Sequence, residues 1–488
     1  MKSFKIKITK EVLLVTLILF VSFFARVYRI NTDLLYHRDQ GLVAMDIYKI
    51  WHDKKISLIG APTDVDGISH SPLYYWILTP FYFLGRGDIV YPAIFQILLE
   101  ILSLPFLYFA IKKVLGKETG FITLILYSVS YGLVSYSRWF ITVPFILPLA
   151  NILLYTFVNK KGVFVNSLII GMIIQTNAAC GVFLIPFLLY HYRKELKFRN
   201  LLFIFLGILI PALPLVLFQI RHDFITVRSI LNMSLGTSQG IGLNIGVYFK
   251  NFVTYIKEIN HLFLYPYVYL SASIFFYGLY KLIKSENKYK EIILSFLIIP
   301  FLFLGLYQRG AISFFLIAFL PLCLSTISYS LSTLGKSFKY AALLVIIVLN
   351  MFLLKNIYKP NNALTPIGDR NVITIDDRKK VIDFIYQNSN GENFSVWIYT
   401  IPYYQDYPWE YLFLTYAKNK YGYLPEKTSS FSKNDLKTSK YFFDIYEVDH
   451  DNQEKQKHWF DEVLKNFGKT ESYFNSHDIH VEMRDNLR

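Results

Sequence analysis

Cysteine, acidic residues and charge of either sign are all scarce in this chain. Only Cys180 and Cys323 occur, both inside apolar segments, which excludes a disulfide framework and a cysteine-based metal cluster. Charged residues make up 17% of the 488, below the roughly 25% usual for soluble proteins. Nothing from residue 358 on has the spacing of a nucleotide loop or a metal cluster. Basic clusters interleaved with RNA-binding aromatic motifs are missing too, so the net charge of +15 does not point to nucleic acid. The N-terminal apolar run lacks a small-residue cleavage site and ends in Arg26 and Arg29, so it reads as a retained helix rather than a signal peptide.

Apolar residues are plentiful, at 54%, arranged in runs long enough for a bilayer. Up to residue 357 there are 33 Lys and Arg against 15 Asp and Glu; from 358 on there are 17 against 20. The positive excess lies in short loops between apolar runs, where it would set topology. Lys2, Lys5, Lys7 and Lys10 hold the N-terminus in the cytoplasm on this reading, and alternation of the loops then gives about eleven crossings. The expected spans are 11–30, 89–111, 118–135, 139–158, a hairpin over 163–190 turning near Asn177 and Gly181, 201–220, 262–282, 292–307, 312–329 and 340–357. A long loop is expected over 221–261. The run 72–84 is too short to cross. If it crossed, Lys112, Lys113 and Lys117 would lie outside, so it is placed at the outer interface.

The fold class is therefore an α-helical polytopic membrane protein, residues 1–357, followed by a small extracytoplasmic α/β domain over 358–488. The tail opens with a possible linker over 359–368. Helices are expected there at 377–387 and 453–467, with strands at 394–400 and 440–448.

One outer segment, 31–88, collects acids that are rare elsewhere. Asp33, Asp39, Asp46, Asp53, Asp64 and Asp66 all lie in it. Leu42, Val43, Ile47, Ile50 and Trp51 recur at helical spacing, which predicts an amphipathic helix on the membrane surface. Asp39, just before that helix, reads either as an N-cap or as a general base that takes a proton from an acceptor hydroxyl or amine. Asp64, Asp66 and His70 read as turn residues, as acceptor contacts, or as ligands to a divalent cation. Arg138 and Arg309 map to outer helix ends. They read as snorkelling cations or as contacts to a lipid phosphate. Tyrosines near Asp39, Tyr74 among them, suit an interface.

These stretches together resemble the membrane-embedded glycosyltransferases of the GT-C fold, in the bacterial branch related to protein O-mannosyltransferases and aminoarabinose transferases. Asp39-Gln40 resembles the acidic pair after that family's first helix. Ile59-Gly60-Ala61-Pro62 and Ser69-His70-Ser71-Pro72-Leu73-Tyr74-Tyr75-Trp76 resemble its "G-P" and "H-P-P-L-Y-Y-W" pattern. Tyr136-Ser137-Arg138, followed by Pro144 and Pro148, resembles a third recurring stretch. The likeness covers residues 10–330. It implies an inverting glycosyltransferase that moves a sugar from a polyprenyl-phosphate carrier to an extracytoplasmic glycan, lipid or protein. It implies Asp39 as the base and Arg138 and Arg309 as phosphate contacts. His70, Tyr74, Asp64 and Asp66 are then candidate substrate contacts. Where many relatives have a second acid, this chain has Gln40, and Val143 and Pro144 stand where another acid is common. The other functions open are a transporter or flippase for a lipid-linked glycan, for which Glu100 is the candidate mid-membrane charge, and a non-catalytic envelope assembly protein acting through its tail.

Overall fold

The computed structural model describes residues 9–63, 67–235, 245–304, 312–357, 373–429, 439–464 and 468–484. In it the apolar runs become helices, since backbone N–H and C=O groups in a bilayer must be satisfied within the segment. Helix α1 (Lys10–Val27) starts where the Thr9 side chain accepts from Val12 N, and stops before Arg29, whose φ of 55° turns the chain. The short α2 (Ile30–Asp33) leads into α3 (Arg38–Trp51), the expected amphipathic helix. Next come α4 (Leu73–Leu84) and α5 (Val90–Leu115).

Contacts at the two ends of the bundle show which of these helices runs its length. At one end Glu11 takes an ion pair from Lys117 at 2.9 Å and another from Lys112, and Lys113 donates to Asn159. At the other end the 85–88 turn, where α4 stops and α5 starts, meets the C-terminal residues through Tyr411 Oη, which donates to Gly87 O at 2.7 Å. Helix α5 therefore connects the two ends. Helix α4, with 12 residues and a rise of roughly 18 Å, ends at the second.

Helices α6 (Lys117–Val129) and α7 (Tyr131–Arg138) meet at a 55° bend at Ser130, where one straight span was expected. The Ser130 hydroxyl accepts from Leu133 N and donates to Leu262 O, so the broken backbone keeps partners. Helix α8 (Ile146–Val158) returns. The expected hairpin follows as α9 (Val163–Thr176), a turn of helix α10 (Ala178–Gly181) after Asn177, and α11 (Leu184–His191). Then come α12 (Phe198–Arg221), α13 (Ile225–Leu235), α14 (Ile245–Phe263) and α15 (Val268–Lys284). The loop expected over 221–261 is thus largely helical. Helix α14 buries Asn251, Tyr255, Glu258, Ile259 and Leu262 at helical spacing and meets α15 at 95°. Helices α16 (Lys290–Leu304), α17 (Leu320–Ser332) and α18 (Lys336–Ile357) complete the bundle. Among the described residues, four helices are long and apolar enough to cross a membrane unaided, and the two bent pairs raise that to six. The shorter apolar helices, α9 among them, would be needed to reach eleven. The protein is a multi-pass, mostly helical membrane protein.

The tail forms a five-stranded sheet. Helix α19 (Ile375–Ser389) precedes β1 (Phe394–Tyr399). Helices α20 (Tyr407–Leu412) and α21 (Lys418–Tyr421), β2 (Lys427–Ser429), β3 (Tyr441–Glu447), α22 (Gln453–His458), β4 (Thr470–Ser476) and β5 (Ile479–Arg484) follow. The order is β2-β1-β3-β5-β4, with β1 parallel to both neighbours and β5 antiparallel to both of its own. The fully buried β1 lies inside the sheet, as an unbroken apolar strand should. Strands β4 and β5 are not among the expected strands, although Ile479–Arg484 alternates apolar and polar residues. The helix expected over 453–467 is α-helical only to His458.

The sheet domain is joined to the loop before α3 by main-chain bonds. Tyr36 N donates to Ile373 O at 3.1 Å, and Ile375 N to Leu34 O at 2.9 Å. Helix α20 lies on α3 at Gly41, where an added Cβ would stand 2.5 Å from Pro408 N and 2.7 Å from Pro408 Cδ. Neither a backbone atom nor a proline ring can swing away, so Gly41→Ala is expected to push α20 off α3. A cost of about 1–3 kcal/mol follows, read as faster proteolysis of the tail and a lower unfolding midpoint. An unchanged midpoint would show that this contact does not hold the domain.

Candidate active site at the first loop

The N-terminus of α3 is built by residues that free Asp39 from capping. His37 is the N-cap residue, and Gln40 Oε1 accepts from His37 N at 3.0 Å. Asp39 sits in the first turn, where the helix dipole favours a carboxylate. Its side chain is 55% exposed, and Arg38 Nη1 donates to it at 3.0 Å. Arg38 Nε also reaches Gln405 of the tail. The N-cap reading of Asp39 is therefore replaced: His37 and Gln40 cap, and Asp39 projects outward beside an arginine.

A buried clamp from the tail fixes the chain just before this turn. Arg378 donates through Nε to Tyr36 O at 2.9 Å and through Nη1 to Glu447 Oε1 at 2.7 Å. Its guanidinium lies 4.7 Å from the centre of the Trp409 ring, and Trp409 Nε1 donates to the same Glu447 oxygen at 3.0 Å. Glu447 Oε2 accepts from Ile401 N at 3.1 Å. Both charged side chains are enclosed, and both are well supplied with partners, the condition for a buried ion pair to persist. None of Arg378, Glu447 and Gln405 was singled out from the sequence, where each stands among ordinary polar neighbours of the tail.

The other expected site residues each have their own surroundings. His70 belongs to a hairpin in which Gly60 N donates to His70 O at 2.7 Å and His70 N to Ala61 O at 2.9 Å. Asp64 and Asp66 lie outside the described residues. Tyr74 is fully buried, its hydroxyl donating to Gln96 Oε1 at 2.7 Å. Arg138, 5% exposed, ends α7 and donates through Nη1 to Arg26 O and Tyr28 O, both at 2.8 Å, closing the C-terminus of α1. Arg309 lies outside the described residues. Asp39 thus pairs with Arg38, and Arg138 Nη1 holds the end of α1.

Glu100 is buried and paired with Arg26 at 3.2 Å. Arg26 also donates to Ser137 Oγ at 2.9 Å, Ser22 Oγ at 2.8 Å and Tyr127 O at 3.2 Å. The charge once considered for a transport path is locked between α1, α5 and α7. Among the described residues no group of three or more His, Cys, Asp or Glu side chains could hold a metal ion.

His37 adds a pH dependence. Its ring is partly covered, but its Nε2 is sealed from water without a hydrogen-bond partner. Burial first, and the Arg378 guanidinium second, push the imidazole down to about 4. An unfolded histidine titrates near about 6.5. The folded pKa is depressed, so the stability His37 contributes is complete above about 6.5 and is lost as pH falls through about 4. Hydrogen exchange in the first turn of α3 is expected to quicken over that window and to stay flat in His37→Asn. The same acid response in His37→Asn would assign it to another group.

No protein-family model matches this chain, and no curated protein matches it. Solved structures do. ArnT from Cupriavidus metallidurans bound to undecaprenyl phosphate aligns over 97% of this chain and 97% of its own, with a TM-score of 0.58 and 11% identity. The apo state of the same protein gives 0.59 and 10% over the same shares. The apo oligosaccharyltransferase of Archaeoglobus fulgidus aligns over 99% of this chain and 75% of its own, at 0.50 and 12%. At such identities the likeness speaks for the fold alone, and it runs through bundle and tail together: the chain has the GT-C fold of these membrane proteins.

Proposed function

We propose that the protein is an inverting glycosyltransferase of the cytoplasmic membrane, moving a sugar from a polyprenyl-phosphate carrier to an extracytoplasmic glycan, lipid or protein. The end-to-end structural match to ArnT carries this reading, one of whose structures holds undecaprenyl phosphate. Charge supports the orientation: Lys112, Lys113 and Lys117 gather at the end opposite the sheet domain, so that end would face the cytoplasm and the sheet and Asp39 the outside.

In this reading the acceptor's hydroxyl or amine attacks the anomeric carbon of the sugar. Asp39 takes the proton as the new bond forms. The bond from the anomeric carbon to the phosphate oxygen breaks, and its electron pair leaves with the lipid phosphate. One displacement inverts the anomeric centre. Arg138 would stabilise the leaving phosphate by charge, since its Nη1 is committed to α1, and Arg309 would act beside it. His70 and Tyr74 are proposed to shape the substrate site, Tyr74 through packing. Asp64 and Asp66 would contact acceptor or hold a divalent cation with His70.

The Arg26–Glu100 pair favours the enzyme over a transporter, because a carboxylate already neutralised by a buried arginine is a poor mobile binding site. Purified protein given a polyprenyl-phosphate-linked sugar and acceptor is expected to release polyprenyl phosphate in proportion to inverted product. Movement of the intact sugar lipid between vesicle leaflets, without cleavage, would replace this reading with the flippase.

A further inference from the structure

Between the α4–α5 turn and helices α19 and α21 lies a cavity of 350 Å³. Its walls include Arg86, Asp88, Lys379, Tyr416, Asn419 and Lys420, three cations against one carboxylate. The backbone cannot supply an anion site here. The N–H groups of residues 85–88 already donate to Phe81, Phe83, Tyr82 and Gly85 carbonyls, so any anion must be held by side chains.

Those side chains differ in how far they are committed. Lys420 is tied to Asp383 at 2.9 Å. Lys379 lies 3.8 Å from Asp88, too far for a hydrogen bond, with its Nζ 5.3 Å from the centre of the Tyr416 ring. The Arg86 guanidinium makes no hydrogen bond or ion pair among the described residues, while Asn419 Nδ2 holds the Arg86 carbonyl at 3.1 Å. Beside the cavity, at the end of α4 and the start of α5, Phe83 is 59%, Leu84 66% and Tyr91 54% exposed. Cations set against exposed aliphatic and aromatic side chains match a headgroup layer above acyl chains.

We propose that this cavity binds the phosphate headgroup of an anionic membrane lipid, with Arg86 and Lys379 on the phosphate and an acyl chain along Phe83 and Leu84. The apolar collar selects a lipid over free phosphate, which would gain nothing from it. The lipid would bridge the bundle and the sheet domain across a seam that Tyr411 and Asn419 already close from the protein side. The proposal does not depend on the transferase reading.

The test uses the full chain in nanodiscs of phosphatidylcholine with a minor share of phosphatidylglycerol, and native mass spectrometry of the lipids retained. Wild type is expected to enrich phosphatidylglycerol. Arg86→Ala should lower that enrichment about fivefold, the worth of one cation near a membrane surface, and Arg86→Glu more. Hydrogen exchange over residues 415–420 should slow with phosphatidylglycerol present. Arg86 is exposed, so both variants should keep the wild-type unfolding midpoint. Equal retention of the two lipids by wild type, or undiminished enrichment in Arg86→Glu, would overturn the assignment. So would protection of 415–420 by inorganic phosphate alone, in detergent, to the same degree.

Discussion

Asp39→Asn is expected to cut sugar transfer by about 10²–10⁴-fold while the protein still folds and inserts. Asparagine keeps the size and the hydrogen-bonding oxygen of the side chain, so its contact with Arg38 can persist. It removes the charge and the capacity to accept a proton as the acceptor attacks. The structural cost should be small, within about 1 kcal/mol, because only an exposed carboxylate's attraction to the α3 dipole and to Arg38 is lost. The measurement is release of polyprenyl phosphate over time, beside a thermal unfolding curve on the same preparation. Turnover within a few-fold of wild type would remove Asp39 from the chemistry. The loop would then be an anchoring device, and a different carboxylate would have to serve.

Glu447→Ala should produce the largest loss of stability, about 3–5 kcal/mol, because it strands the buried Arg378 cation without its partner. Whole domains are stable by only about 5–15 kcal/mol, so the tail should unfold well below the wild-type midpoint. The effect should reach the site. Once Arg378 loses Glu447, its hold on Tyr36 O weakens, and Tyr36 stands three residues before Asp39. Transfer should fall with the midpoint, and hydrogen exchange should quicken at 34–41. Removing both charges, as in Arg378→Met with Glu447→Leu, should cost less than the sum of the single changes, because neither charge is left alone. It should not restore wild type, since Trp409 Nε1 and Ile401 N would still lack their acceptor. A Glu447→Ala protein with an unchanged midpoint would show that the tail is held by the main-chain bonds at 34–36 and the α20 contact alone.

Sequence alone was enough for whatever follows from transfer between water and lipid. Long apolar runs had to become helices, because unpaired backbone groups are too costly in hydrocarbon. The helical spacing of Leu42, Val43, Ile47, Ile50 and Trp51 marked α3. The order of the three motifs was sufficient to name a fold that the alignment to ArnT supports end to end. Tertiary structure alone decided what holds Asp39. Tyr36 and Arg378 are 342 residues apart, and neither the glycine at 41 nor the glutamate at 447 carries a local mark of its partner. The bend at Ser130 and the pairing of Arg26 with Glu100 were hidden for the same reason. Periodicity records whether a side chain faces protein, lipid or water. It does not record which distant group meets it there, and buried charges and close backbone approaches depend on that meeting.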